Sequence, residues 1–116
     1  VFPAEVMRRI EKADVKSLCE MVGGDKGVAW GCATEIIKKK TKNGKEFYRI
    51  RMMDDQNRTA WLRVWGKFFD WGEERGQKIY YEPQPFSYWL METEVDPNWG
   101  ASSAAWKMRK IPLYDD

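Results

Sequence analysis

The 116-residue chain contains no histidine. That absence removes every mechanism needing an imidazole base or ligand, so a Ser-His-Asp triad, a Cys-His pair and a His-ligated zinc site are all excluded. Catalysis would have to rest on carboxylates, lysine, tyrosine or a bound metal. Cysteine is almost as scarce. Cys19 and Cys32 stand thirteen apart without a CxxC spacing, which supplies neither a four-ligand metal site nor a disulfide framework and fits a reduced, intracellular protein. Long apolar runs are also missing: nothing approaches the ~20 residues a membrane helix needs, and no basic start with an apolar centre opens the chain. A soluble protein without a membrane partner, metal or cofactor is expected. The chain opens on Val1 rather than Met, as a processed or excised piece of something longer would.

What is abundant is aromatic. Seven Trp, five Tyr and five Phe sit in a chain whose net charge is only +2. That balance hides a division. From Lys38 to Lys67 there are ten basic residues against three acidic ones, whereas the other 86 residues carry ten basic and fifteen acidic groups. A concentrated basic region within an acidic remainder is the asymmetry expected where a polyanion docks on one face.

Periodicity divides the chain in the same place. Val6, Ile10, Ala13, Leu18, Met21 and Val22 recur at near-helical spacing after Pro3. They predict an N-terminal helix, stopped by Gly23-Gly24 and open to a break near Ala13-Asp14. From Val28 the period becomes two. Strands are expected at 28–37, 46–53, 59–65, 78–82 and 86–95, with Gly31 as a bend point in the first. A lysine-rich turn over 38–45 contains Asn43-Gly44, a strong hairpin signal. A short helix or compact loop is expected over 66–75, a loop over 96–105 and a closing strand over 106–113. The organisation expected is residues 1–27 as helix and linker and 28–116 as one compact β domain.

Alternation then sorts the two central strands by face. Tyr48, Ile50 and Met52 share one side with Ala60, Leu62 and Val64, an obvious core. The other side brings Phe47, Arg49 and Arg51 opposite Trp61 and Arg63, with Trp65 set aside as a residue that could turn inward and cap the core. Unpaired bases stack on aromatic rings while their phosphates require cations along the same track. Single-stranded nucleic acid is therefore the ligand this face suits, with Lys38, Lys39, Lys40, Lys42 and Lys45 at its rim and Trp99 from the 96–105 loop beside it. The plainer reading is cross-strand packing of guanidinium planes over indoles beside a solvated lysine turn.

The order of elements is that of the oligonucleotide-binding (OB) fold, a five-stranded all-β Greek-key barrel, here with an N-terminal helix and a short helix between strands three and four. More narrowly, Thr41-Lys42-Asn43-Gly44-Lys45, the strand 46–53, the acidic Asp54-Asp55 and the strand 59–65 resemble the OB domain of bacterial polymerase III alpha-type replicative polymerases. The same stretch is similar to the anticodon-binding OB domains of some aminoacyl-tRNA synthetases. Trp30-Gly31-Cys32-Ala33 occupies the place of the family's first-strand glycine. Gln56-Asn57-Arg58 departs from the pattern by replacing the glycine that commonly follows the acidic turn, although Asn57 can adopt a left-handed conformation. The resemblance covers residues 28–66, more weakly 76–81. It implies a non-catalytic single-stranded DNA-binding module of replication or repair, in the cytoplasm of a bacterium or a phage-infected cell, with other replication proteins as further partners.

Two other readings stand beside it. One is a protein-interaction or virion component that keeps the fold without the ligand, since fold does not determine function. The other is a metal-dependent nuclease drawing on Asp54, Asp55, Glu92, Glu94 and Asp96, residues that turn chemistry and an alternating solvated strand already explain. Asp115-Asp116 reads as a solvated tail.

Overall fold

The computed structural model describes residues 2–114; Val1 and the Asp115-Asp116 tail lie outside the described residues. Helix α1 spans Ala4–Ala13 and buries Val6 and Ile10. It ends where Asp14 turns left-handed at φ 53°, its N–H reaching back to Ile10 O at 3.0 Å and Glu11 O at 3.2 Å. Asp tolerates that conformation, and the turn stops the helix. The longer helix expected from Leu18, Met21 and Val22 therefore does not form. Strand β1 (Lys16–Ser17) and a 3-10 turn (Leu18–Glu20) take its place, with a capping box between Ser17 and Glu20. Periodicity alone could not tell this single turn from a continuing helix.

Eight further strands follow: β2 (Lys26–Lys40), β3 (Glu46–Met53), β4 (Thr59–Trp65), β5 (Phe68–Trp71), β6 (Lys78–Tyr81), β7 (Ser87–Asp96), β8 (Gly100–Ala104) and β9 (Met108–Lys110). The expected bounds of β3 and β4 hold to the residue. Strand β2 runs longer than expected, through Lys38, Lys39 and Lys40. It pairs antiparallel with β7 through residues 26–33 and with β3 through residues 32–40. A register shift between Ala33 and Glu35 marks its bend. The pairings β2–β3, β3–β4, β4–β8, β8–β7 and β7–β2 close a five-stranded barrel in which only β4–β8 is parallel. This is an all-β, OB-like barrel, with β2, β3, β4, β7 and β8 as its five strands.

The barrel interior holds Ala29, Ala33, Tyr48, Ile50, Met52, Leu62, Val64, Trp89 and Met91. Small residues line β2 because the opposite wall is close: a Cβ on Gly31 would sit 3.0 Å from Met52 Cβ. The other side of β2 is buried too. Trp30 and Cys32, with Tyr88 of β7, form a second cluster beneath Val6 and Ile10 of α1.

The expectations for residues 66–75, 96–105 and 106–113 are corrected. Residues 66–75 contain no helix. Phe68 and Trp71, three apart, fit a helical turn, but Phe68 points inward and Phe69 and Trp71 outward on β5, which pairs with β6 as a two-stranded ribbon closed over residues 72–77. The 78–82 and 86–95 segments are separate strands, because Pro83 and Pro85 lack N–H donors and Phe86 adopts φ 63°. The expected loop 96–105 is a tight turn followed by β8, whose Ala and Ser residues have little strand preference of their own and are held by partners on both sides. Closure is thus made by β8. Residues 106–113 contribute the end of a second 3-10 turn (Ala105–Lys107) and the short β9, which pairs only with β7.

Candidate nucleic-acid interface

The outward residues of β3 and β4 meet in register. Phe47 lies opposite Trp65, Arg49 opposite Arg63 and Arg51 opposite Trp61. β2 adds a third row, with Lys39 beside Phe47, Ile37 beside Arg49 and Glu35 beside Arg51. Five expected residues, Phe47, Arg49, Arg51, Trp61 and Arg63, are therefore brought onto one face. Trp65 joins them: it is half-buried on the outer side, its ring 4.8 Å from Phe47, with Lys45 Nζ 4.6 Å above it. The period of two already contained that assignment.

Trp99 arrives from the β7–β8 turn. Asp96 Oδ1 accepts the N–H groups of Asn98 at 2.8 Å and Trp99 at 2.9 Å, and Gly100 supplies the positive φ of 84° that turns the chain into β8. The indole is left 73% exposed. Its backbone is tied to the face by Arg63, whose guanidinium donates to Trp99 O at 3.1 Å. Arg49, Trp61, Arg63, Trp99 and Ala101 line a shallow cleft of about 220 Å³. Arg63, Trp65 and Trp99 also line a second cleft that holds Asp25, Glu94 and Asp96 together with Lys26, whose Nζ lies 3.1 Å from Glu94.

Electrostatics set this face apart. Arg49 and Arg63 sit directly opposite each other, an arrangement that costs stability in an isolated sheet. Arg49 is held 4.6 Å over the Trp61 ring. Among the described residues, no carboxylate lies within ion-pair distance of Lys39, Lys42, Lys45, Arg49, Arg51 or Arg63. Lys42 lies at the exposed tip of the β2–β3 turn. Lys38 and Lys40 differ from these, since the register turns them to the other side of β2. Lys38 Nζ meets Glu82 at 3.0 Å and Glu46 at 3.9 Å, and Lys40 Nζ meets Glu46 at 3.9 Å. Glu82 also accepts the Tyr48 hydroxyl. These two bonds, from Tyr48 first and Lys38 second, hold the Glu82 carboxyl below its usual range.

The carboxylates Asp54, Asp55, Glu92, Glu94 and Asp96 do not form a metal-holding group among the described residues. Asp54 is buried in the β3–β4 turn and accepts from Ser17 Oγ at 2.7 Å, Gln56 N at 3.0 Å, Arg58 N at 3.1 Å and Arg58 Nε at 3.0 Å. Burial pushes its pKa up, but these donors outweigh burial and hold it below the ordinary value. The turn closes through Asn57 at φ 60°, the left-handed conformation a glycine would otherwise provide. Asp55, Glu92, Glu94 and Asp96 are all exposed. Among the described residues, no three His, Cys, Asp or Glu side chains could share a metal ion. Burial pushes the Cys19 thiol up to about 11, with the Asp54 charge adding to it, and burial also raises Cys32. Neither thiol is activated as a nucleophile.

Among the described residues no helix is long and apolar enough to cross a membrane. No protein-family model, curated protein or solved structure matches this chain.

Proposed function

We propose that this chain is a non-catalytic module that binds single-stranded nucleic acid across the outer face of β3 and β4, between the β2–β3 turn and the Trp99 turn. The observation that carries this reading is the opposed Arg49–Arg63 pair, without a carboxylate partner and set among Phe47, Trp61 and Trp65. Arg49 stacks on Trp61 and Arg63 bonds Trp99 O, but their mutual repulsion stays uncompensated within the fold, and a phosphate chain along the face would neutralise it. Bases stack on the rings between them. The strand-two and strand-three face, flanked by these two loops, is also where OB folds take oligonucleotides. The turn resemblance favours DNA over RNA and a setting in replication or repair.

Tryptophan fluorescence during titration with oligothymidylate tests this. Quenching is expected, with affinity falling steeply between about 50 and 200 mM salt as counterions are released. No quenching at low salt, with self-association blocked by Trp61→Ala, would instead make the face a protein interface.

A further inference from the structure

The β5–β6 ribbon has an outer face that the barrel core does not use. Phe68 and Tyr81 point inward, where Phe68 packs 5.4 Å from both Tyr48 and Trp89. Phe69, Trp71 and Tyr80 point away. Their rings form an edge-to-face set, with Phe69 5.3 Å from Trp71 and 6.0 Å from Tyr80. Trp71 and Tyr80 are 66% and 58% exposed. Two cations lie on this set: Lys78 Nζ is 4.8 Å from the Phe69 ring, and Lys67 Nζ is 5.7 Å from the Tyr80 ring. Among the described residues neither lysine has a carboxylate within ion-pair distance.

A groove of about 880 Å³ joins this ribbon to the barrel face. Phe47 and Lys45 line one side, Lys67 and Tyr80 the other. Its carboxylates, Glu46 and Glu82, are engaged by Lys38 and Lys40. The alternation of rings and free cations found on β3 and β4 thus continues past Lys45 onto the ribbon. Charge complementarity identifies the occupant as a polyanion with stackable planes.

We infer that the β5–β6 ribbon is a second stacking platform, which takes the nucleotides running off the barrel face past Lys45. This rests on the proposed function and extends it by setting how much strand the protein covers. The barrel face alone would hold a short oligonucleotide, and barrel plus ribbon a longer one, within the ~4 to 16 nucleotides an OB fold can cover.

The test compares oligothymidylates of about 5 and about 15 nucleotides, by fluorescence anisotropy of a labelled strand, on the full chain and on the double variant Trp71→Ala/Tyr80→Ala. Loss of at least about tenfold in affinity for the longer strand, with the shorter one unchanged, supports the inference. A second variant, Lys67→Gln/Lys78→Gln, removes no ring and should lower the salt dependence of long-strand binding by about 1.4 in log–log slope. Wild-type affinity of both variants for both strands overturns the inference and leaves the barrel-face reading standing. So does a change of oligomeric state in the ring variant with long-strand binding intact, since the ribbon is then a protein contact. Failure of the unmodified chain to bind either strand overturns both.

Discussion

Two sides of the same barrel use aromatic residues differently. Where β2 and β7 lie under α1, Trp30 and Tyr88 pack against Val6, Ile10 and Phe2, the Phe2 ring standing edge-on 5.8 Å from Trp30 and 5.5 Å from Tyr88. Where β3 and β4 face outward without a cover, Phe47, Trp61 and Trp65 are interleaved with Arg49, Arg51 and Arg63. An aromatic count says little until each ring is assigned to a face. The covered rings stabilise the fold. The uncovered ones, set among cations without carboxylate partners, are available to a ligand.

Truncating one indole on each side separates the two roles. Trp30→Ala should cost about 3 to 5 kcal/mol of stability, read by thermal or denaturant unfolding, because it opens a cavity under α1. Affinity of the remaining folded protein for oligothymidylate should be unchanged. Asp54→Ala should cost about 2 to 4 kcal/mol by leaving Ser17, the turn N–H groups and Arg58 without their acceptor. The sign of its pH dependence follows from the lowered folded pKa. Asp54 stabilises the fold fully above its unfolded value near 3.8 and loses that contribution as pH falls through the lower folded value. Acid unfolding of Asp54→Asn should therefore lack this component. Trp61→Ala should reverse the Trp30 pattern, weakening oligonucleotide binding by about 1 to 3 kcal/mol and leaving stability within about 0.5 kcal/mol.

The smallest effect separates neighbouring lysines. For a strand of about 5 nucleotides, confined to the barrel face, Lys39→Gln should lower the log–log salt slope of binding by about 0.7, the value for one phosphate contact on a single strand, while Lys38→Gln should leave it unchanged. Equal effects would show that strand register does not decide which lysines meet the ligand.

That lysine pair also marks how far the sequence could be read. Strict alternation and the Asn43-Gly44 turn fixed β3 and β4, and with them Phe47, Arg49, Arg51, Trp61 and Arg63, because each side chain's face follows from a period of two. A turn over 38–45 leaves the faces of Lys38, Lys39 and Lys40 unassigned. Their faces depend on β2 continuing beyond its irregularity between Ala33 and Glu35, which is set by pairing with β3. Strand β8 was hidden for a related reason, since Ala101, Ser102 and Ser103 become a strand only between β4 and β7. The ribbon was hidden by ambiguity, as Phe68 and Trp71 fit either period over so short a run.

The seven tryptophan indole N–H signals offer the most direct test of the central claim, followed by heteronuclear NMR during titration with oligothymidylate. Trp61, Trp65 and Trp99 should shift or broaden with added strand while Trp30 and Trp89 stay in place. Unchanged signals for Trp61, Trp65 and Trp99 at saturating strand would contradict assignment of the β3–β4 face as the binding surface.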